Sequence, residues 1–495
     1  MTSFNLRPLP VAPGGGTNRQ EDSLPPRAAP TKNLLSYVTK CSSQKPFKPV
    51  GYERHDLVGA YVELWSTLLF DNSLGETRGA GRIAENSARF LTMFGRKQTM
   101  IVRNDQGGAM KTIDLIAGAR PNFMKIAPII DAIKQAQSRG SSLRYRLIHT
   151  GQHYDKAMSG GFFEQLGIPE PDVNLEVGSG TQAEQTASIM VRYEKVLLDQ
   201  KSDLCLVVGD VTSTMACSIA ARKLGVPVAH VEGGIRSGDW TMPEEINRVV
   251  TDSITNWFFT TSETANDNLR RAGVTNDRIF FAGNTMIDTL LKQMPNLRPP
   301  AFWAELGLQA GRYFVVTLHR PANVDGEQQL LRLLQAIAAG TGSLPVVFPV
   351  HPRTAKNLRE LQGQIPGMHY VDPQSYLEFN YLVKHAKGVI TDSGGITEET
   401  TVMGVPCLTL RDNTERPETV SVGTNELIGT NPANLGPALL RLMEGRWKKG
   451  AIPEKWDGQA AVRIVAELER LLSVVGVAHA SSTSAAASPK LKIVA

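Results

Sequence analysis

From Lys111 onward the chain repeats one theme. A short apolar run closes on glycine, a small residue or an acid, and then passes into a longer helical stretch. Residues 113–117 lead into Gly118-Ala119-Arg120-Pro121 and a helical stretch from about Asn122. Residues 204–208 lead into Gly209-Asp210 and a helix near 215–224, and residues 226–231 into Glu232-Gly233-Gly234. A second series starts near Tyr313, with apolar runs at 314–318, 346–350, 388–391 and 406–410. Short strands alternating with helices of about 10 to 15 residues predict a doubly wound parallel sheet. The proline-bearing stretch 294–300 separates the two series, so the expected fold is α/β: two lobes with a cleft between them. Ligands of open parallel sheets bind beyond the carboxyl ends of the strands, which is where the polar motifs of this chain fall.

At 495 residues the chain exceeds one ordinary core. Its 41% hydrophobic and 20% charged residues describe a soluble globular protein. A net charge of +5 without a dense Lys/Arg block argues against a nucleic-acid partner. It still suits an anionic substrate held by a few basic groups. Cys41, Cys205, Cys217 and Cys407 are scattered, with no CxxC pair. That spacing reads as reduced thiols in a cytoplasmic protein, without zinc or a disulfide framework. No signal-peptide core is present, and the longest apolar patches, such as 61–70, are too short for a bilayer, so no membrane partner is expected.

The expected domains are an N-terminal extension at 1–109, lobes at 110–294 and 295–477, and a disordered tail at 478–495. Within the extension, 1–33 reads as disordered, 34–94 as a small helical pair and 95–108 as a linker. Met110-Lys111 directly precedes the first strand, so a start at Met110 is one expectation for the native protein. A genuine, weakly ordered extension is the other.

Several motifs can carry chemistry. Gly118-Ala119-Arg120-Pro121-Asn122-Phe123-Met124-Lys125 offers backbone N–H groups and two cations to an anion, or is an ordinary strand-to-helix turn. Asp210 closes a strand one residue past a glycine, as a cleft acid or a helix cap. Glu232 closes the next strand, and Glu244-Glu245 follow, Glu245 reading equally as a surface partner of Arg248. Carboxylates gathered in a closed cleft acquire separated pKa values and serve as general acid and base. In the second series His319 ends a strand, placed to bind phosphate or move a proton. Thr391-Asp392-Ser393-Gly394-Gly395 opens a helix whose free N–H groups suit a diphosphate, with Glu398 and Glu399 in its first turn. Arg416 sits in a proline-bounded loop and suits bidentate contact with phosphate or carboxylate. No metal constellation and no GxGxxG turn is present, so neither a metal nor a nicotinamide cofactor is expected.

Taken in order, GARPNFMK, TGQHYD, GDVTST, HVEGGIRSG, PEEINR, GNTMID, LHRPAN, PQSYLEF, TDSGGITEE and TERPE resemble the non-hydrolysing UDP-N-acetylglucosamine 2-epimerases. The resemblance runs from about Lys111 to about Ala466, roughly 70% of the chain. It implies two Rossmann-like lobes in the glycosyltransferase-B arrangement, usually as a homodimer, with a UDP-sugar substrate and no cofactor. It implies a base that removes the C2 proton while UDP leaves C1, a 2-acetamidoglucal intermediate, and return of proton and UDP. By motif match Asp210, Glu232, Glu244 and His319 are the catalytic group. Arg120, Lys125, Gln374, Phe379, Ser393, Gly394, Gly395, Glu399 and Arg416 are substrate contacts, Phe379 near uracil and Glu399 near the ribose hydroxyls. The expected product feeds surface polysaccharide synthesis.

The chain departs from the family at three places. The stretch 236–243 is about two residues shorter, Pro321-Ala322 replace a common Arg-Glu, and Tyr154-Asp155 follow Gln152-His153 in the region of an allosteric site known in some members. The competing expectations are an epimerase of a UDP-2,3-diacetamido-hexuronate, a hydrolysing 2-epimerase, a retaining glycosyltransferase and a non-catalytic UDP-sugar binder.

Overall fold

The computed structural model describes residues 110–151, 165–350, 354, 358 and 365–484. The expected extension at 1–109, including its helical pair, and the Gln152–Asp155 stretch lie outside the described residues. So do Cys41 and the end of the chain from residue 485.

The first series forms β1 (Lys111–Ala117), β2 (Leu143–His149), β3 (Val173–Asn174), β4 (Leu204–Val208), β5 (Val228–Val231), β6 (Trp257–Thr260) and β7 (Ile279–Phe281). They build one sheet in the order β3-β2-β1-β4-β5-β6-β7. The second series forms β8 (Phe314–Thr317), β9 (Val346–Pro349), β10 (Met368–Val371), β11 (Gly388–Thr391), β12 (Cys407–Thr409) and β13 (Asn425–Leu427). Their order is β10-β9-β8-β11-β12-β13. All these pairings are parallel. The α/β expectation of two Rossmann-like lobes therefore holds, each with a point between β1 and β4, or β8 and β11, where strand order reverses.

Alternation along each strand explains why both faces are apolar. Leu204, Leu206 and Val208 enter one core with Ile113, Leu115 and the helix Arg120–Ser138, whereas Cys205 and Val207 enter another on the opposite face. Phe314, Val316 and Leu318 divide from Val315 in the same way in the second lobe.

The last helix, Ala460–Ser484, returns to the first lobe, where Ala461, Ile464, Val465, Leu468 and Leu472 join the core of Ile126 and Ile130. Asp288 of the first lobe fastens its start, accepting from Ala460 N at 3.1 Å and Ala461 N at 2.7 Å. By packing, the end of the expected 295–477 lobe thus belongs to its neighbour. The tail expected from Ala478 is helical as far as Ser484. Its alanines are good helix formers, and a helix already anchored upstream extends at little cost. Among the described residues no helix is long and apolar enough to cross a membrane.

Candidate active site

Strand register assembles the site. Pairing of Val208 with Val231 carries Gly209 alongside Glu232, and pairing of Thr391 with Thr317 carries Asp392 alongside Leu318. Gly209 has φ +65°, and a Cβ there would lie 2.9 Å from Lys125 Nζ. The left-handed backbone is what favours glycine there. Glu232 adopts φ +72° although it carries a side chain. Such a backbone costs on the order of 1–3 kcal/mol and persists only where its surroundings impose it.

Glu232 is the junction of the two lobes. Its carboxylate pairs with Lys125 from the helix Arg120–Ser138 and with Arg416 from the second lobe. Arg416 Nε reaches Glu398 Oε1 at 2.6 Å, and Asn284 Nδ2 of the first lobe donates to that same oxygen at 2.9 Å. Burial disfavours the charged guanidinium, but Glu398, Glu232, Glu415 and Glu418 outweigh it and raise the Arg416 pKa. Burial pushes the Glu398 carboxyl up, with Glu232 adding to the effect.

Asp210 lies beside this junction. Arg248 holds its Oδ2 with Nη2 at 2.7 Å and Nε at 3.0 Å, and Asn247 Nδ2 donates to its carbonyl at 2.9 Å. Burial would raise the Asp210 pKa, yet Arg248, Lys125 and Arg416 together hold it below the ordinary carboxylate value. Glu245 is not the surface partner of Arg248 that its spacing suggests. It is buried, and it takes the N–H groups of Ser237 and Gly238 at 3.0 Å each while pairing with Arg248. The glycine-bearing loop before it supplies donors that only a buried carboxylate can use.

A cavity of about 620 Å³ opens between the lobes and brings Glu244 together with His319, Arg320, Arg411 and Asn413. His319 Nδ1 lies 2.8 Å from Asp392, a fully buried acid that also accepts from His319 N at 3.1 Å, Arg320 N at 2.9 Å and Asn323 Nδ2 at 3.0 Å. Asp392 thereby orients the ring.

Ser393 stands at the N-cap of the helix Gly394–Met403 without a side-chain cap hydrogen bond, so Glu398 and Glu399 lie past the first turn and not in it as expected. A side chain at Gly394 would collide with the Glu415 carboxylate, whereas Gly395 faces only the Met286 methyl at 3.8 Å. Arg411 Nη2 pairs with Glu415 at 2.7 Å. Against burial, which alone would raise it, Arg411, Arg416 and Arg248 bring the Glu415 carboxyl down to about 2. Glu399, on the same helix, accepts from Asn380 Nδ2 at 3.4 Å, and burial pushes its carboxyl up to about 7.

Of the residues expected from sequence, Lys125, Asp210, Glu232 and Arg416 meet in one network, and Glu244 and His319 share the cavity. Ser393, Gly394 and Gly395 start the helix beside Arg416, and Glu399 lies in its second turn. Gln374 folds back to donate to the Asp372 carbonyl at 2.6 Å, and Phe379 packs against the second lobe's apolar cluster with Trp303. Arg120 begins its helix, and its side chain lies outside the described residues. Sequence reasoning missed Arg248, Asn284, Asp392, Glu398 and Glu415 as members of the site. Arg248 and Glu398 were visible only as helix-surface and helix-start charges, and long-range pairing gives them their place. Among the described residues no group of three His, Cys, Asp or Glu is placed to hold a metal ion.

Two doubly wound lobes meeting over buried carboxylates and guanidinium groups define a cleft enzyme acting on an anionic substrate. A family model described as UDP-N-acetylglucosamine 2-epimerase matches residues 135–469. The UDP-N-acetylglucosamine 2-epimerase of Methanocaldococcus jannaschii is 40% identical over 365 residues, 71% of this chain and 98% of that protein. A crystal structure of a Methanocaldococcus jannaschii UDP-GlcNAc 2-epimerase in complex with UDP-GlcNAc and UDP has a TM-score of 0.65, covering 72% of this chain and 99% of that one at 39% identity. The UDP-2,3-diacetamido-2,3-dideoxy-D-glucuronate 2-epimerase of Pseudomonas aeruginosa is 39% identical over 324 residues, 65% of this chain and 88% of that protein. The chain belongs to the UDP-N-acetylglucosamine 2-epimerase family.

Proposed function

We propose that this protein interconverts UDP-N-acetylglucosamine and UDP-N-acetylmannosamine by inverting C2, through loss and return of UDP. The observation that carries the reading is Glu232 held by Lys125 and Arg416 where the lobes join, with Asp210 held by Arg248 beside it. Proton removal at C2 needs a carboxylate that is ionised, and Asp210 is kept so by its cations. Departure of UDP from C1 builds negative charge on the diphosphate, which Arg416 and the start of the helix Gly394–Met403 are positioned to receive. Glu244 and His319, which line the same cavity, complete the group that returns a proton to the opposite face.

In this reading the lobe at 110–294 carries the acids and the lobe at 295–477 the UDP, with Gln374, Phe379 and Glu399 toward the nucleoside. The protein acts as a cytoplasmic homodimer that supplies surface polysaccharide synthesis. Incubation with UDP-N-acetylglucosamine in D2O, followed by NMR, is the test. The expected products are UDP-N-acetylmannosamine and deuterium at C2. Free N-acetylmannosamine with UDP would instead identify a hydrolysing enzyme.

A second reading has its own support. Arg320 and Arg411 line the cavity, and Arg320 Nε and Arg411 Nη1 are buried without a hydrogen-bond partner in the protein. They suit a substrate carboxylate, as on the uronate sugar named for the Pseudomonas aeruginosa relative. Faster turnover of the diacetamido-uronate nucleotide than of UDP-N-acetylglucosamine would favour it.

A further inference from the structure

His230 lies in the middle of the first lobe, 1% exposed, between the strand ends that carry Asp210 and Glu232. Its ring makes two short contacts. Nδ1 is 2.7 Å from Asp252 Oδ1, and Nε2 is 2.8 Å from the carbonyl oxygen of Gly209. Both partners only accept. A neutral imidazole has a single N–H, so one contact would set two lone pairs against each other at hydrogen-bond distance. A proton on Asp252 Oδ1 would also satisfy both contacts, but two donors on Oδ2, one of them cationic, favour the ionised carboxylate. Asp252 Oδ2 already takes Gly234 N at 3.0 Å and Arg236 Nη1 at 2.7 Å. Asp252, from the helix Pro243–Ile254, is the acid in contact with the ring, and Arg236 from the loop before that helix pairs with Asp252.

The Gly209 carbonyl belongs to the peptide that joins Gly209 to Asp210. That peptide follows a left-handed residue, so its orientation is not fixed by ordinary strand geometry. Asn247 fixes the next carbonyl, that of Asp210, from the other side.

We propose that His230, protonated on both ring nitrogens, is a positioning residue that clamps the Gly209–Asp210 peptide and so aims the Asp210 carboxylate. This rests on Asp210 being an acid of the reaction. His230 touches no substrate. It acts through Asp210, and a misplacement of about 1 Å at such a group can cost on the order of 100-fold in rate.

Two measurements on the full-length protein test it. The first is 15N NMR of the histidine-labelled native enzyme at the pH of assay, with His230→Gln for assignment. The expected signature is a buried imidazolium with two protonated nitrogens, and a neutral tautomer overturns the proposal. The second compares His230→Gln with His230→Gln/Asp252→Asn. The single variant keeps a donor for Gly209 but turns its amide oxygen on the Asp252 carboxylate. In the double variant the new amide at 252 donates to that oxygen while its own oxygen still serves Gly234 and Arg236. The single variant is expected to lose about 10- to 100-fold in kcat with KM changed less than about threefold, and the double to regain part of the loss. Wild-type kcat in the single variant, or no recovery in the double, counts against the clamp. Full turnover by Asp210→Asn would overturn the underlying reading while leaving the NMR signature intact, so the two failures are distinguishable.

Discussion

Asp210 and Asp392 occupy matching places in two copies of one topology. Each follows the strand just past the point where order reverses, β4 in the first sheet and β11 in the second. Their surroundings differ. The Asp210 side chain is 28% exposed and its carboxylate is held by Arg248 from one side. The Asp392 side chain is fully buried, and its oxygens take two backbone N–H groups, an amide and a histidine ring. A strand end at the switch point delivers an acid to the cleft. The number of donors already on it decides whether it can exchange a proton with a substrate or serves as an anchor.

The largest test of that distinction is Asp210→Asn. The amide keeps an oxygen for Arg248, so the urea midpoint should stay near that of the parent. Turnover of UDP-N-acetylglucosamine, followed by NMR, should fall by about 10²–10⁴-fold. Unchanged turnover would erase the difference between the two aspartates. Asp392→Ala comes next. It strands the N–H groups of His319 and Arg320 and the Asn323 amide in a buried site, and should cost about 3–5 kcal/mol in urea unfolding. A loss below about 1 kcal/mol would show that Asp392 anchors nothing.

The same contrast explains what could be read from sequence. The apolar strands that end in Gly209-Asp210, Glu232 and Asp392-Ser393 announce themselves, because a strand buried on both faces is a nearly continuous apolar run. The strand Leu143–His149 does not, since Arg144, Tyr145 and Arg146 interrupt it. Arg146 is tolerated there because Asp114 on the neighbouring strand meets it at 2.7 Å, a pairing no local pattern displays. Glu245 and Arg248 read as a helix-surface pair because i,i+3 spacing describes only their own helix. Their burial depends on the Ser237-Gly238 loop and on Asp210, 38 residues away from Arg248. The reach of the last helix into the first lobe was hidden for a like reason. Its Ala- and Ser-rich end resembles a tail, and the anchor that holds its start, Asp288, is 172 residues from Ala460.

Charge and burial also divide the buried acids by pH, though not lobe by lobe: arginines bring Glu415 of the second lobe down to about 2, and burial raises Asp288 of the first to about 6. In the first lobe Asp210, Glu245 and Asp252 are held below their ordinary values, because the donors and cations facing them outweigh desolvation. In the second lobe burial wins at Glu399 and Glu418, each pushed up to about 7 from 4.5. A carboxyl raised in the folded state binds its proton more tightly there than in the unfolded chain. Its contribution to stability is therefore fully present below about 4.5 and is lost as pH rises through about 7. The depressed acids of the first lobe act oppositely, contributing above their unfolded pKa and losing that contribution in acid. Glu399→Gln isolates the effect at Glu399, because the glutamine oxygen can accept from the same neighbours without titrating. Between pH 5 and pH 8 the unfolding free energy of the variant should gain roughly 2–3 kcal/mol relative to the parent, read from urea curves at each pH. Parallel curves across that window would mean that Glu399 is ionised like Asp210, Glu245 and Asp252.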